Sequence, residues 1–107
     1  MMSGAALVWC PFPDTESARA AADALLDDRL IACANILPGI ESRFVWDGAR
    51  AVGNEVGVLF KTTSERLEDV VERLGELHPY DTPAVIGWHA DASYPATLGW
   101  LMGSIPE

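Results

Sequence analysis

The chain has 107 residues and a formal net charge of −9 at neutral pH, and half of its residues are hydrophobic. This length predicts a single domain, residues 1–107, with no room for a second core. The acidic balance argues against nucleic acid and anionic membranes as partners, because their phosphates would be repelled. Two cysteines without CxxC spacing indicate neither a zinc site nor a disulfide framework.

The start of the sequence and its apolar runs predict a cytoplasmic protein. The apolar run 5–10 is far shorter than the core of a signal peptide, and no basic segment precedes it. No run approaches the ~20 apolar residues that cross a membrane. We therefore expect a cytoplasmic location, no membrane partner and reduced cysteines.

The first two elements are predicted to be a buried strand and an amphipathic helix. The run 5–10 is continuously apolar, which favours a central strand buried on both faces, and Pro11 and Pro13 stop it. Asp14 or Thr15 then supplies a helix N-cap. The apolar stripe of this helix is Ala18, Ala21, Ala22, Leu25 and Leu26.

Residues 31–61 predict a long, bent β-hairpin around which the rest of the chain is arranged. Its outgoing limb alternates with period two between residues 40 and 46, a pattern that fits a strand and not a helix. Pro38-Gly39 bends that limb, and Asp47-Gly48 marks the turn, whose tip we expect to extend to Gly53. One face of the limb carries Ile40, Ser42, Phe44 and Trp46.

A second helix, a last strand and a short C-terminal helix follow the hairpin. Thr62 and Glu65 have capping-box spacing for the second helix. That helix must end by His78, because Pro79 disfavours the α region in the residue before it. The apolar stretch 84–90 predicts the strand.

This order of elements predicts an α+β fold of the ferredoxin-like (split βαβ) type. Two helices cover one face of an antiparallel sheet whose first and third strands are central. The outgoing limb of the hairpin is then an edge strand, and a long apolar edge requires cover. The economical cover is the same surface of an identical subunit.

The predicted topology also places the reactive side chains. Cys10 and His78 fall at one end of the sheet, and Cys33, Lys61 and His89 fall at the other. An intrachain disulfide is therefore excluded, since its Cα atoms must lie within about 7 Å. The simpler interpretation is that both cysteines are packed apolar residues. No catalytic triad and no glycine-rich phosphate loop is evident, so we expect no enzymatic activity.

Several spaced motifs resemble those of the CutA divalent-ion tolerance family. They run from about Leu7 to Leu101 and occur in the family's order. The segment 30–42 matches its Cys-Asn-Pro-Gly-Ser signature, and Phe44-Val45-Trp46-Asp47-Gly48 matches its hairpin turn. The other matches are Glu55, Lys61-Thr62, the segment 78–83 and Trp100-Leu101.

The resemblance implies a homotrimer assembled through long hairpins, located in the bacterial cytoplasm and linked to tolerance of copper and other divalent cations. Copper or another divalent cation is the cofactor it implies, with none required for folding. Phe44 stands where many members have tyrosine, which removes a hydroxyl from the cleft. The metal ligands it implies are Cys10, Cys33 and His78, and the cleft residues are Trp46, Glu55, Lys61 and Tyr80.

Three functional hypotheses follow from the residues and the resemblance together. The first is a metal-responsive trimer that binds copper through thiolate and imidazole, the ligands that copper accepts in its two oxidation states. The second is a PII-like trimer that senses a small ligand in clefts between subunits. The third is a scaffold whose trimer binds an unidentified protein partner.

Overall fold

Seven helices and strands follow one another along residues 4–106, which are the residues that the computed structural model describes. The four strands form one antiparallel sheet in the order β2-β3-β1-β4. This confirms the predicted α+β fold with β1 and β3 at the centre and β2 at an edge. The elements are β1 (Ala5–Phe12), α1 (Thr15–Asp27), β2 (Cys33–Trp46), β3 (Ala49–Thr63), α2 (Leu67–Leu77), β4 (Ile86–His89) and α3 (Pro95–Ser104).

The hydrophobic core lies between one face of the sheet and the helices α1 and α2. Alternate residues of β1 (Val8, Cys10 and Phe12) are fully buried there, and the residues between them are half-buried on the opposite face. The expectation that β1 is buried on both faces therefore holds for only one face within this chain. Asp14 caps α1 as predicted, because its Oδ1 accepts a hydrogen bond from the Ser17 N–H at 2.7 Å.

Several strand boundaries differ from those predicted, and β4 is shorter than the apolar stretch 84–90, since it spans only Ile86–His89. β1 continues through Pro11, which is tolerated because β4 pairs with β1 only as far as Trp9 and leaves that side of Pro11 without a neighbouring strand. β3 continues to Thr63, so Thr62 does not cap α2. Its hydroxyl instead donates to the Leu30 carbonyl at 2.7 Å.

The tip of the hairpin is tighter than the sequence predicted, and the hairpin spans residues 33–63 where the sequence predicted 31–61. The register of β2 on β3 shifts between Leu37 and Ile40, which is the predicted bend. Trp46 pairs directly with Ala49, so the tip is a two-residue turn and does not extend to Gly53. Asp47 and Gly48 have φ values of 51° and 78°, the pattern of a type I′ turn, which matches the twist of the two strands.

The distal part of the hairpin, residues 40–55, extends beyond the sheet as a two-stranded arm. β1 begins to pair with β3 at Val56, so the arm has no third strand beside it. At about 3.4 Å per residue the arm is roughly 20 Å long. The chain is correspondingly elongated, with principal extents of 43 × 26 × 22 Å.

The sheet face opposite α1 and α2, here called the open face, is apolar. Residues paired across an antiparallel ladder share a face, so the registers identify its members. Ile86 and Trp88 of β4 are exposed by 64% and 44%. They lie beside Leu7, Trp9 and Leu59, which are half-buried.

Among residues 4–106, no helix is long and apolar enough to cross a membrane.

Candidate functional site

A groove of about 740 Å³ runs between the hairpin arm and the segment that follows α2. We call it the hairpin groove. Its volume lies within the range of small-molecule sites in proteins. The arm contributes Ser42, Phe44, Val45, Trp46, Gly53, Asn54 and Glu55, the segment after α2 contributes Pro79, Tyr80, Asp81, Thr82 and Ala84, and Pro11 completes the lining.

The strand register explains why the arm presents an aromatic wall to this groove. Phe44 and Trp46 pair with alanines of β3, so small residues lie opposite both rings, and Ser42 pairs with Gly53. The ring of Phe44 passes within 3.8 Å of the position that a Cβ at Gly53 would occupy. The other wall begins where α2 ends, since Pro79 cannot continue the helix.

Tyr80 joins the two walls of the groove. Its hydroxyl donates a hydrogen bond to Glu55 Oε2 at 3.0 Å. Partial burial, then this hydrogen bond and the charge of Glu55, raise the pKa of Tyr80 to about 12. The phenol therefore keeps its proton and its role as a donor at physiological pH. Trp46, Glu55 and Tyr80, three of the four predicted cleft residues, line the same groove.

His78 is a buried structural link behind Tyr80. Its Nε2 is 2.7 Å from the Pro11 carbonyl oxygen, and its Nδ1 is 3.1 Å from the Tyr80 backbone nitrogen. A carbonyl only accepts and an N–H only donates, so Nε2 carries the proton and Nδ1 accepts. The ring also stacks on Phe12 with centroids 4.4 Å apart. Both ring nitrogens are thus engaged.

Cys10 lies next to this link but is buried in the core. Its Sγ contacts the same Pro11 carbonyl at 3.8 Å, so the thiol and the imidazole meet at one oxygen atom. Burial, and secondarily the charge of Glu55, raise the pKa of Cys10 to about 12. Because the thiolate is the metal ligand and nucleophile, this thiol is unreactive as it stands.

Cys33 and Lys61 lie elsewhere on the sheet. They pair with each other across β2 and β3, and Lys61 also pairs with Leu7 of β1. Cys10 pairs with Val58, three ladder positions away, or about 10 Å along the sheet. The sequence placed Cys10 and Cys33 at opposite ends of the sheet. Their offset along the strands is shorter than a whole strand, because β1 continues past Cys10 to Phe12. Cys10 faces the helices and Cys33 the open face, and both thiols are free.

The predicted copper ligands therefore do not form a closed site within one chain. Cys10 and His78 are neighbours, but Cys33 is on the other face of the sheet. Across residues 4–106, no group of three or more His, Cys, Asp or Glu side chains is arranged to hold a metal ion. Lys61 is likewise remote from the groove in the chain, since five residues of β3 lie between it and Glu55.

The groove contains two acidic groups and no basic one. Glu55 and Asp81 line it, and neither lysine nor arginine is found among its described lining residues. Arg43 lies between the groove residues Ser42 and Phe44 in the sequence. It forms an ion pair with Glu41 at 2.9 Å, on the face of the arm opposite to those two residues. Asp81 was not among the predicted cleft residues. The sequence could have indicated Asp81 only through its position directly after Tyr80, which was a predicted cleft residue.

Known proteins similar to this chain match it over nearly its whole length. The family described as "CutA1 divalent ion tolerance protein" matches residues 6–104. The "Divalent-cation tolerance protein CutA" of Pyrococcus horikoshii is 41% identical over 96 residues, which is 90% of this chain and 93% of that protein. The "Protein CutA, chloroplastic" of Arabidopsis thaliana is 33% identical over 98 residues, 92% of this chain and 54% of that protein.

A solved structure supports the same assignment. CutA from Xylella fastidiosa superposes with a TM-score of 0.92 at 32% sequence identity, covering 97% of this chain and 100% of that one. Sequence and fold agree over nearly all of the described residues. The chain belongs to the CutA1 divalent ion tolerance protein family.

Proposed function

We propose that this chain is a non-catalytic, homotrimeric protein of the cytoplasm that contributes to divalent-cation tolerance by binding a small ligand in the hairpin groove. The observation that carries the proposal is the hydrogen bond between Tyr80 and Glu55, which joins the two walls of a groove that Trp46 also lines. The family's name supplies the physiological context. In this proposal the trimer brings Lys61 of a neighbouring subunit to the groove.

A ligand screen on the intact protein tests this function. Thermal unfolding is followed with a broad panel of small metabolites, and at least one of them is expected to raise the melting temperature. A ligand at 100 times its Kd adds about 2.7 kcal/mol of stability, which is readily measured. Trp46→Ala and Glu55→Ala should abolish the shift.

Glu41→Ala is the matched control for this screen. Glu41 is on the arm but pairs with Arg43, away from the groove, so its replacement should leave the shift intact. A panel in which no compound stabilises the protein would overturn the proposal. So would a shift that survives both groove substitutions.

Copper binding is a second candidate function, and one contact favours it. Cys10 Sγ and His78 Nε2 both approach the Pro11 carbonyl, so a thiol and an imidazole are adjacent. A metal there would have to displace the hydrogen bond of Nε2 and deprotonate a buried thiol. Cys33 would join such a site only through the trimer.

Copper titration distinguishes the two candidates. Wild type is compared with Cys10→Ala, Cys33→Ala and His78→Ala, and stoichiometry and affinity are measured under reducing and oxidising conditions. Loss of sites in Cys10→Ala and His78→Ala supports the pair, and unchanged binding in all three variants eliminates it. We expect a chelator to leave the melting temperature unchanged, because the core is built from apolar side chains.

A further inference from the structure

We propose that Lys61 of one subunit forms an ion pair with Glu55 of its neighbour, so that each hairpin groove is completed by two chains of the homotrimer. This inference rests on the proposed function, because it assumes the trimer. It adds the contact that brings Lys61 to the groove and the carboxylate that receives it. It follows from the distribution of charge on the open face and from the surroundings of the two side chains.

The strands place only two charged side chains on the open face and its continuation along the arm. β3 is one continuous strand, so Glu55, Leu59 and Lys61 lie on the same face. Within residues 4–106, the registers show that β1, β2 and β4 contribute only uncharged residues to this face, and most of them are apolar. The face therefore carries one carboxylate and one ammonium group.

These two opposite charges do not meet within one chain. Lys61 is six positions after Glu55, which corresponds to about 20 Å along an antiparallel strand. Neither residue takes part in an ion pair of the described chain. Each charge thus lacks an opposite charge in its own subunit, and both lie on the face that identical neighbours cover in the trimer.

Lys61 needs an acidic partner once the open face is covered. Its neighbours on the sheet ladder are Cys33 and Leu7, and Trp88 follows on β4. The side chain of Lys61 is half-buried in the single chain. A neighbouring subunit on this face would remove more water from the ammonium group, and a buried ammonium is costly unless it is paired. The partner must come from the neighbour, since no carboxylate lies beside Lys61.

Glu55 is the carboxylate best placed to receive that ammonium group. It is half-buried, and the hydroxyl of Tyr80 occupies its Oε2, which leaves Oε1 for a second donor. The backbone of Tyr80 is held in turn by His78, so little freedom is lost when a second donor binds. Asp81, the other acidic residue of the groove, is exposed on the loop after α2 and is accessible to water.

The separation of the two charges also fits a closed ring of three subunits. A ring is built from head-to-tail interfaces, in which one patch of a subunit contacts a different patch of the next. Lys61 and Glu55 supply two such patches of opposite charge on one face. Each subunit would donate through Lys61 to one neighbour and accept through Glu55 from the other, which gives three identical ion pairs.

Zero-length cross-linking of the wild-type protein tests this pair directly, because Lys61 is the only lysine of the chain. Trimers are assembled from equal amounts of isotope-labelled and unlabelled chains and treated with a water-soluble carbodiimide, which joins a lysine to a carboxylate in contact with it. Mass spectrometry should find Lys61 joined to Glu55 in peptides that combine labelled and unlabelled chains. Cross-links of Lys61 only to Asp81 or other carboxylates, only within one chain, or to none would overturn the proposal.

A double-mutant cycle on trimer dissociation measures the coupling of the two residues. Lys61→Gln and Glu55→Gln should each raise the concentration at which half of the trimer dissociates by at least about tenfold, because each leaves one charge unpaired. The double variant should differ from the weaker single variant by less than about threefold, since the pair is already broken. Fully additive effects of the two substitutions would overturn the proposal.

Two control variants make the same changes in charge away from the open face. Arg19→Gln removes a positive charge from an exposed position of α1, and Glu41→Gln removes a negative charge from the other face of the arm. Both should leave trimer dissociation unchanged. Effects as large as those of Lys61→Gln and Glu55→Gln would show a dependence on net charge alone and would overturn the proposal.

The outcomes also separate this inference from the proposed function. A trimer without the Lys61–Glu55 cross-link that a metabolite still stabilises through Trp46 would eliminate the ion pair and preserve the ligand site. A cross-linked trimer that no metabolite stabilises would preserve the ion pair and eliminate the ligand site. A protein that remains monomeric would eliminate both the ion pair and the homotrimer.

Discussion

At Gly57 the sheet has no space for a side chain. A Cβ built there would lie 2.3 Å from one atom of the Trp9 ring and 2.4 Å from Cδ1 of Ile40. The Trp9 ring therefore occupies the space that a side chain at position 57 would need. We expect Gly57→Ala to lower the free energy of unfolding by about 1–3 kcal/mol, the usual cost of overpacking. Denaturant titration measures the change.

Gly75→Ala is the control for this substitution. Gly75 lies in α2 with no atom within 4 Å of its would-be Cβ, outside the helix backbone itself. Alanine is the better helix former by about 0.8–1 kcal/mol, so this variant should be more stable than wild type. If Gly57→Ala were also stabilising, the close packing of Trp9 on β3 would be refuted.

Tyr80 makes stability depend on pH in the alkaline range. Its pKa rises from 10.0 to about 12 on folding, so the folded protein holds this proton more tightly than the unfolded chain. The resulting stabilisation is present below pH 10, declines as the pH rises, and is lost above about pH 12. Cys10, with its pKa raised to about 12, contributes in the same direction.

Alkaline unfolding of wild type and Tyr80→Phe checks this dependence. The variant lacks the phenol, so its stability should fall less steeply between pH 10 and pH 12 than that of wild type. Phenolate absorbance followed in parallel should lose one transition near pH 12. Identical pH profiles for the two proteins would show that Tyr80 is not held by Glu55.

Among the elements, the hairpin arm depends most on its turn. Gly48 has a φ of 78°, where a β-branched side chain costs about 1–2 kcal/mol. The arm lacks a third strand, and isolated hairpins are marginally stable. Gly48→Val should therefore open the arm locally, seen as faster amide hydrogen exchange in residues 40–55. Ala49→Val, next to the turn but in β3, should leave the exchange unchanged.

The elements show which parts of the fold could be predicted. Period-two alternation in residues 40–46 and the break at Pro38-Gly39 were sufficient for the hairpin and its bend. The length of the turn was not, because a Gly-containing sequence up to Gly53 fits a longer loop as well as a strand. The end of β3 was missed because a threonine can cap a helix or continue a strand, and the sequence favoured the cap at Thr62. The hydrogen bond that Thr62 makes instead, to the Leu30 carbonyl, is a tertiary contact.

The candidate site was predictable only in part, because it joins distant segments. The resemblance indicated Trp46, Glu55 and Tyr80, and the structure places them in one groove. The role of Pro11 as the acceptor for both His78 and Cys10 depends on β1 running two residues further than its apolar pattern. Asp81 was missed because an exposed acidic residue in a loop resembles many solvated ones.

At the scale of the whole molecule, the open face and the arm are the features that one chain leaves incomplete. Trp88 and Ile86 are exposed beside half-buried Trp9, and large contiguous apolar patches of this kind mark interaction sites. The arm extends beyond the sheet and is apolar at its tip, where Val45 is 70% exposed. A single subunit cannot cover both, whereas identical neighbours can.

We therefore expect sedimentation equilibrium to give a mass three times the 11.5 kDa of the chain. Trp88→Lys places a charge on the open face and should shift the mass towards that of the monomer, with a lower melting temperature. Glu68→Gln changes the net charge by the same amount. Glu68 is an exposed residue of α2, which lies on the side of the sheet opposite to the open face. It should remain trimeric. A wild-type protein that sediments as a monomer at micromolar concentration would refute the homotrimer, and Lys61 would then have no route to the hairpin groove.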